Sequence, residues 1–155
     1  MFRTLQNKKI ENIVDYVRIY LNEHKGKDIE LIVGCDSQNY GRKTSYVTVI
    51  VFYETGHGGH IIYERNNTER ERVRAVRLMN EVMKSIEVAE TLRLAGLPKV
   101  KYIDIDVNSN PSRGSNEVFQ SAVGLVKGMG YDCRYKTLGS ASAAVTYCAD
   151  HIVKS

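Results

Sequence analysis

The stretch YIDIDVNSN, residues 102 to 110, sets two aspartates, Asp104 and Asp106, two apart in an apolar, β-branched run. Side chains alternate along a strand, so Tyr102, Asp104, Asp106 and Asn108 share one face while Ile103, Ile105 and Val107 share the other. Asp36 closes an earlier apolar run, IELIVGCDSQ, and further acids stand at Glu81 and Asp150. Carboxylates gathered within a few ångströms repel unless a proton or a cation intervenes, and hard divalent ions such as Mg²⁺ take oxygen ligands in that setting. Two such ions about 4 Å apart can activate a water and stabilise the leaving oxygen of a phosphodiester.

Each acid also has an ordinary use. Asp36 suits a turn with Ser37 and Gln38, and Glu81 shares its helix with Glu69, Glu71, Glu87 and Glu90, where solvated glutamates are usual. Glu71, near the helix start, is the main alternative to Glu81. Other chemistries find less support. His57 and His60 flank glycines at a turn and with Cys35 match no familiar zinc spacing. Ser140 and Ser142 suit a helix cap, for no His–Asp pair is placed to activate them. No GxxxxGK[ST] or GxGxxG occurs, which argues against a nucleotide-binding domain.

The elements that must position the acids follow from periodicity. Residues 8 to 25 space Ile10, Ile13, Val14, Val17 and Leu21 as an amphipathic helix. Three strands follow, over 29–38, 45–54 and HIIYER, joined by YGRK and the glycine-rich TGHGG. A long helix is expected from Thr68, as N-cap, to Gly96, with Val76, Met79, Val82, Met83, Ile86 and Ala89 on its buried side. Then come the strand KVKYIDIDVN, the loop SNPSRGS, a helix over 115–128, the strand YDCRYKT and a last helix over 142–153. A three-strand meander followed by alternating strands and helices implies an α/β fold: a five-stranded mixed sheet with helices on both faces. Its first and fourth strands lie parallel side by side, and functional groups gather at their C-terminal ends. Asp36 and Asp104 then face one cleft.

The 155 residues suit a single domain, 1–155, with residues 1–26 as a leading helix packed on it. Lys and Arg number 22 against 18 Asp and Glu, a balance that permits a polyanionic partner without requiring one. Three cysteines without a CxxC pair, and no long apolar run, point to a reducing, cytoplasmic setting without signal peptide or membrane span. Arg42, Lys43, Arg113 and Lys136 could contact phosphates. Tyr40, Tyr102 and Tyr135 could stack bases.

The succession of elements, with acids at those four places, resembles the ribonuclease H-like superfamily. More closely, GCDSQNYG, GHGGHIIY, RLMNEVMKSIEVAE, YIDIDVN, VGLVKGMGYDCRYKT and SASAAVTYCAD look like a family of small bacterial and phage proteins classed as predicted ribonuclease H-like nucleases. The resemblance covers the chain from about residue 8. It implies a nuclease using two Mg²⁺ or Mn²⁺ ions on RNA, DNA or a hybrid. Asp36 would be the ligand shared by the two metals, Glu81 and Asp104 would complete one site, and Asp150 would help form the second. Asp106, where the family pattern has a small residue, is the alternative to Asp104. The resemblance also implies substrate contacts by Lys136, whose segment KTLGSASAA resembles the family's link into the last helix. A 3′-5′ exonuclease of this fold would pair its first aspartate with a glutamate two residues on and carry Tyr or His four before its last aspartate. Gln38 and Thr146 stand there instead. The alternative from another class is a catalytically silent nucleic-acid-binding or scaffold module, which predicts acids that fail to converge or a Lys or Arg at the metal position. Oligomeric state is open.

Overall fold

The computed structural model of the protein describes residues 1–105 and 115–135. Its elements run β1 (Arg3–Thr4), α1 (Ile13–Glu23), β2 (Ile29–Tyr40), β3 (Lys43–Glu54), β4 (Gly58–Glu69), α2 (Arg74–Leu94), β5 (Tyr102–Ile105), α3 (Ser115–Gly128) and β6 (Asp132–Tyr135). The strands form one sheet in the order β1-β4-β3-β2-β5-β6. β2, β3 and β4 are the expected antiparallel meander, and β5 and β6 add in parallel beside β2.

The sheet has six strands rather than five. The additional one, β1, is two residues long and pairs Arg3 with Tyr63 and Thr4 with Ile62 at the free edge of β4. A pair of residues carries too little alternation to announce a strand. The same N-terminal turn takes Lys9 into a bridge with Arg3, so α1 begins five residues later than the periodicity suggests. Asn12 caps it, its side chain accepting the Asp15 amide at 3.1 Å. Residues 1–26 are therefore a short β-turn followed by a helix.

The meander is regular and long. Tyr40 pairs with Lys43 across a two-residue turn whose Gly41 has φ 53°, a left-handed conformation that glycine adopts without steric cost. β4 runs on to Glu69, paired with Lys43, four residues beyond HIIYER. Thr68 therefore lies in a strand instead of capping a helix, and its hydroxyl donates to the Glu69 carbonyl at 3.0 Å. Helix α2 starts at Arg74, and Glu71 Oε1 accepts the Val73 amide just ahead of it at 3.0 Å.

Alternation divides β2 cleanly, because its twelve-residue register with β3 contains no bulge. Leu31 and Val33 join Ile50, Phe52, Ile62, Ile103 and Ile105 in the main core. α1, α2 and α3 all pack on that face, through Val17, through Val82, Ile86, Ala89 and Leu92, and through Ala122 and Val126. Each fully buried aliphatic side chain contributes about 2 kcal/mol. The opposite face carries Ile32, Val47, Val49 and Val51 with Tyr53, Ile61, Tyr63 and Tyr102 against them. The expected helix over 142–153 lies outside the described residues, so the described helices all cover one face.

The buried stripe of α2 is rotated from the expected one. Val76 and Met83 are exposed, while Glu81, Ser85 and Leu92 turn inward beside Val82, Ile86 and Ala89. Among the described residues no helix is long and apolar enough to cross a membrane.

Candidate metal and nucleic-acid site

Asp36 and Asp104 reach one face of the sheet by register. Ile32 pairs with Tyr102, Val33 with Ile103 and Gly34 with Asp104, and paired residues point the same way. Asp36, two residues past Gly34, therefore shares the face of Asp104 as its diagonal neighbour. One strand spacing sideways and one pleat along put their Cα atoms about 8 Å apart. Gly34 sets no side chain directly opposite Asp104. Both carboxylates are buried. The Ser37 amide donates to Asp36 Oδ1 at 2.9 Å, which holds that carboxylate against its own backbone.

Glu81 arrives from the other face. Alternation sends Ser37 to the side covered by α2, and its hydroxyl donates to Glu81 Oε2 at 3.4 Å. Asn80 anchors the same turn of α2 by donating to the Tyr46 hydroxyl at 3.0 Å, and the Lys84 ammonium lies 5.1 Å from the Tyr46 ring centre. Asp36 and Glu81 are thus linked through adjacent residues of β2 but approach it from opposite sides. β5 pairs with β2 only as far as Gly34. Among the described residues no strand flanks β2 on this side beyond that point.

Asp104 is strongly perturbed. Burial pushes its carboxyl up to about 7, against the opposing pull of the Arg134 charge and hydrogen bond. Arg134 is its registered partner on β6, with Nε 3.4 Å from Oδ1. The guanidinium lies over the Tyr102 ring, 4.6 Å from its centre. Asp104 Oδ2 and Arg134 Nη2 are buried and have no hydrogen-bond partner among the described residues. Sequence reasoning missed Arg134. Its signal was present, since YDCRYKT places Arg134 beside Asp104 once the two parallel strands are aligned.

The donors fit a hard divalent cation in chemistry. Asp36 and Asp104 offer carboxylate oxygens from one face, and Asp104 Oδ2 is a buried oxygen lacking a partner. Among the described residues no three His, Cys, Asp or Glu side chains form a ligand group. Asp150, Asp106, Arg113 and Lys136 lie outside the described residues. Lys43 is described and exposed. It shares the face of Asp36, because Val47 is the partner of Asp36 and Lys43 has the same parity on β3, but it stands about 13 Å further along.

The remaining candidates have other occupations. The Glu71 carboxylate is engaged at the start of α2. The Cys35 thiol is buried, and burial first, then the Glu81 charge, push it far above its ordinary range. His60 Nε2 bonds the Tyr16 hydroxyl at 2.6 Å within a ring cluster of Tyr16, Tyr20 and Phe52. That fixes α1 to the sheet.

The family model described as Ribonuclease H-like matches residues 12–154. Among solved structures, RNase H1 from the halophilic archaeon Halobacterium salinarum NRC-1 is similar at 12% identity and a TM-score of 0.45, covering 79% of this chain and 92% of that one. No curated protein matches the chain in sequence.

Proposed function

The chain belongs to the ribonuclease H-like family, and on that premise we propose that it is a divalent-metal-dependent nuclease acting on RNA, DNA or a hybrid of the two. The observation that carries the reading is the buried Asp104 carboxylate, one of its oxygens without a partner among the described residues, one pleat from Asp36 on the same sheet face. Asp36, Glu81, Asp104 and Asp150 would hold Mg²⁺ or Mn²⁺ there. A pair of such ions supplies Lewis-acid activation of water and stabilises the leaving oxygen of a phosphodiester.

The protein's own groups supply position. Ser37 acts twice: its amide fixes the Asp36 carboxylate and its hydroxyl fixes Glu81, so one residue sets the spacing between acids from two elements. The Asn80–Tyr46 bond keeps α2 at the height that presents Glu81. Lys43, Arg113 and Lys136 would contact backbone phosphates, which gives affinity with little dependence on sequence.

One observation favours the second reading, a nucleic-acid-binding module without turnover: an arginine already contacts Asp104. Cleavage separates the two. Labelled RNA–DNA hybrid, double-stranded RNA, single-stranded DNA and a four-way junction are incubated with Mg²⁺, Mn²⁺ or EDTA. The nuclease reading expects at least one to be cut with metal and none with EDTA. Tight binding of these polymers without cleavage under any condition supports the binding module instead.

A further inference from the structure

The Asp104–Arg134 pair is incomplete on both sides. A guanidinium and a carboxylate at full strength make two short parallel bonds of about 2.8 Å. Here, although the two residues stand directly across from each other, one contact of 3.4 Å joins them. The outer atoms are left over: Asp104 Oδ2 and Arg134 Nη2 are both buried without a partner among the described residues. The Asp104 side chain is 1% exposed, a setting in which an unmatched ion pair is costly. Meanwhile the guanidinium rests on the Tyr102 ring, which holds it by its face and leaves its edge for polar partners. What remains is a carboxylate oxygen suited to a cation and, beside it, an N–H suited to an anion.

We propose that Arg134 is a placeholder for the metal: it occupies the Asp104 carboxyl while no divalent ion is bound, yields it when one arrives, and then turns its guanidinium edge to a phosphate oxygen of the nucleic acid. This rests on the functional reading above. It also reconciles the arginine at the acid with that reading, because the pair is a resting state of the site. Two consequences follow. Arg134 weakens metal binding in the absence of nucleic acid, since the ion must displace or tolerate a positive charge. Once Arg134 holds a phosphate, metal and nucleic acid strengthen each other's binding, and by linkage the effect is equal in both directions.

The test measures Mn²⁺ affinity, by titration calorimetry or by the electron-spin signal of free Mn²⁺. It uses the full chain as wild type and as Arg134→Gln, alone and with a cleavage-resistant phosphorothioate oligonucleotide. Removing a positive charge next to a ligand is expected to tighten Mn²⁺ binding by about tenfold or more, and to abolish the further gain that the oligonucleotide gives the wild type. Equal or weaker Mn²⁺ binding in Arg134→Gln overturns the placeholder. Tighter binding with an undiminished oligonucleotide gain overturns the hand-over to phosphate. Binding by neither protein overturns the functional reading itself, whereas binding by Arg134→Gln alone supports the placeholder in its strongest form. Should Arg134→Gln fail to fold by circular dichroism, the Arg134 Nε–H resonance of the wild type decides. Release from Asp104 shifts it during Mg²⁺ titration, and an unmoved resonance in a protein that binds Mg²⁺ refutes the proposal.

Discussion

Asp104 makes the metal-free protein less stable as the pH rises, and the size of the effect follows from its surroundings. The carboxyl moves from 3.8 to about 7 on folding, chiefly because burial penalises its charged form. Between those values the folded chain keeps a proton that the unfolded chain releases. The stabilisation is therefore complete below about pH 4 and is lost as the pH rises through about 7. At about 1.4 kcal/mol per pH unit the window amounts to about 4 kcal/mol. With the side chain 1% exposed, solvent screening does little to reduce it. The assay is urea unfolding in EDTA from about pH 4 to about pH 8, comparing wild type with Asp104→Asn so that other titrating groups cancel. Wild type should lose stability relative to the variant by about 1.4 kcal/mol per pH unit and level off above about pH 7. Mg²⁺ at the alkaline end should restore wild type but not Asp104→Asn. A difference between the two proteins that stays flat with pH refutes the reasoning, because a carboxyl ionised in both states has no such slope.

Ser37→Ala removes the hydroxyl that bonds Glu81 while leaving the amide on Asp36 in place. Cleavage should fall by about 10-fold or more, as for other residues that orient a ligand, while stability in a urea melt changes by no more than about 1 kcal/mol; a variant with full activity removes Ser37 from the site. Lys43→Ala deletes an exposed charge on the face of Asp36, and the slope of log affinity for nucleic acid against log salt should become shallower by about one contact. An unchanged slope places the polymer elsewhere.

The parts of this molecule that were legible in its sequence are those with sustained periodicity. The residues of β3 form a continuous β-branched and aromatic run, and the order of elements, a meander followed by a crossing helix, implies that β5 lies parallel beside β2, as it does. From these alone Asp36 and Asp104 could be set on one face. β1, by contrast, is recruited by the exposed edge of β4, a tertiary demand that two residues do not reveal. The start of α2 was obscured because TERER reads equally as a charged first turn, whereas in the fold its Thr68 and Glu69 complete the β3–β4 ladder. The rotation of α2 matters most for the site. Val82, Ile86 and Ala89 of the expected stripe are buried, but Val76 and Met83 are exposed and Leu92 and Ser85 take part in their stead, and this rotation carries Glu81 inward to Ser37. Arg134 was hidden for a different reason: an arginine in a short strand looks solvated until strand order sets it across from a buried acid.

The central claim, that these carboxylates hold the ions of a nuclease, is tested most directly by metal-dependent cleavage in wild type and Asp36→Asn purified side by side. The account predicts that wild type cuts a labelled nucleic acid with Mg²⁺ or Mn²⁺ and that Asp36→Asn, folded and with unchanged circular dichroism, loses more than about 100-fold, beyond the loss typical of an outer partner. Full cleavage by Asp36→Asn would contradict it, placing the observed activity in another site or another protein.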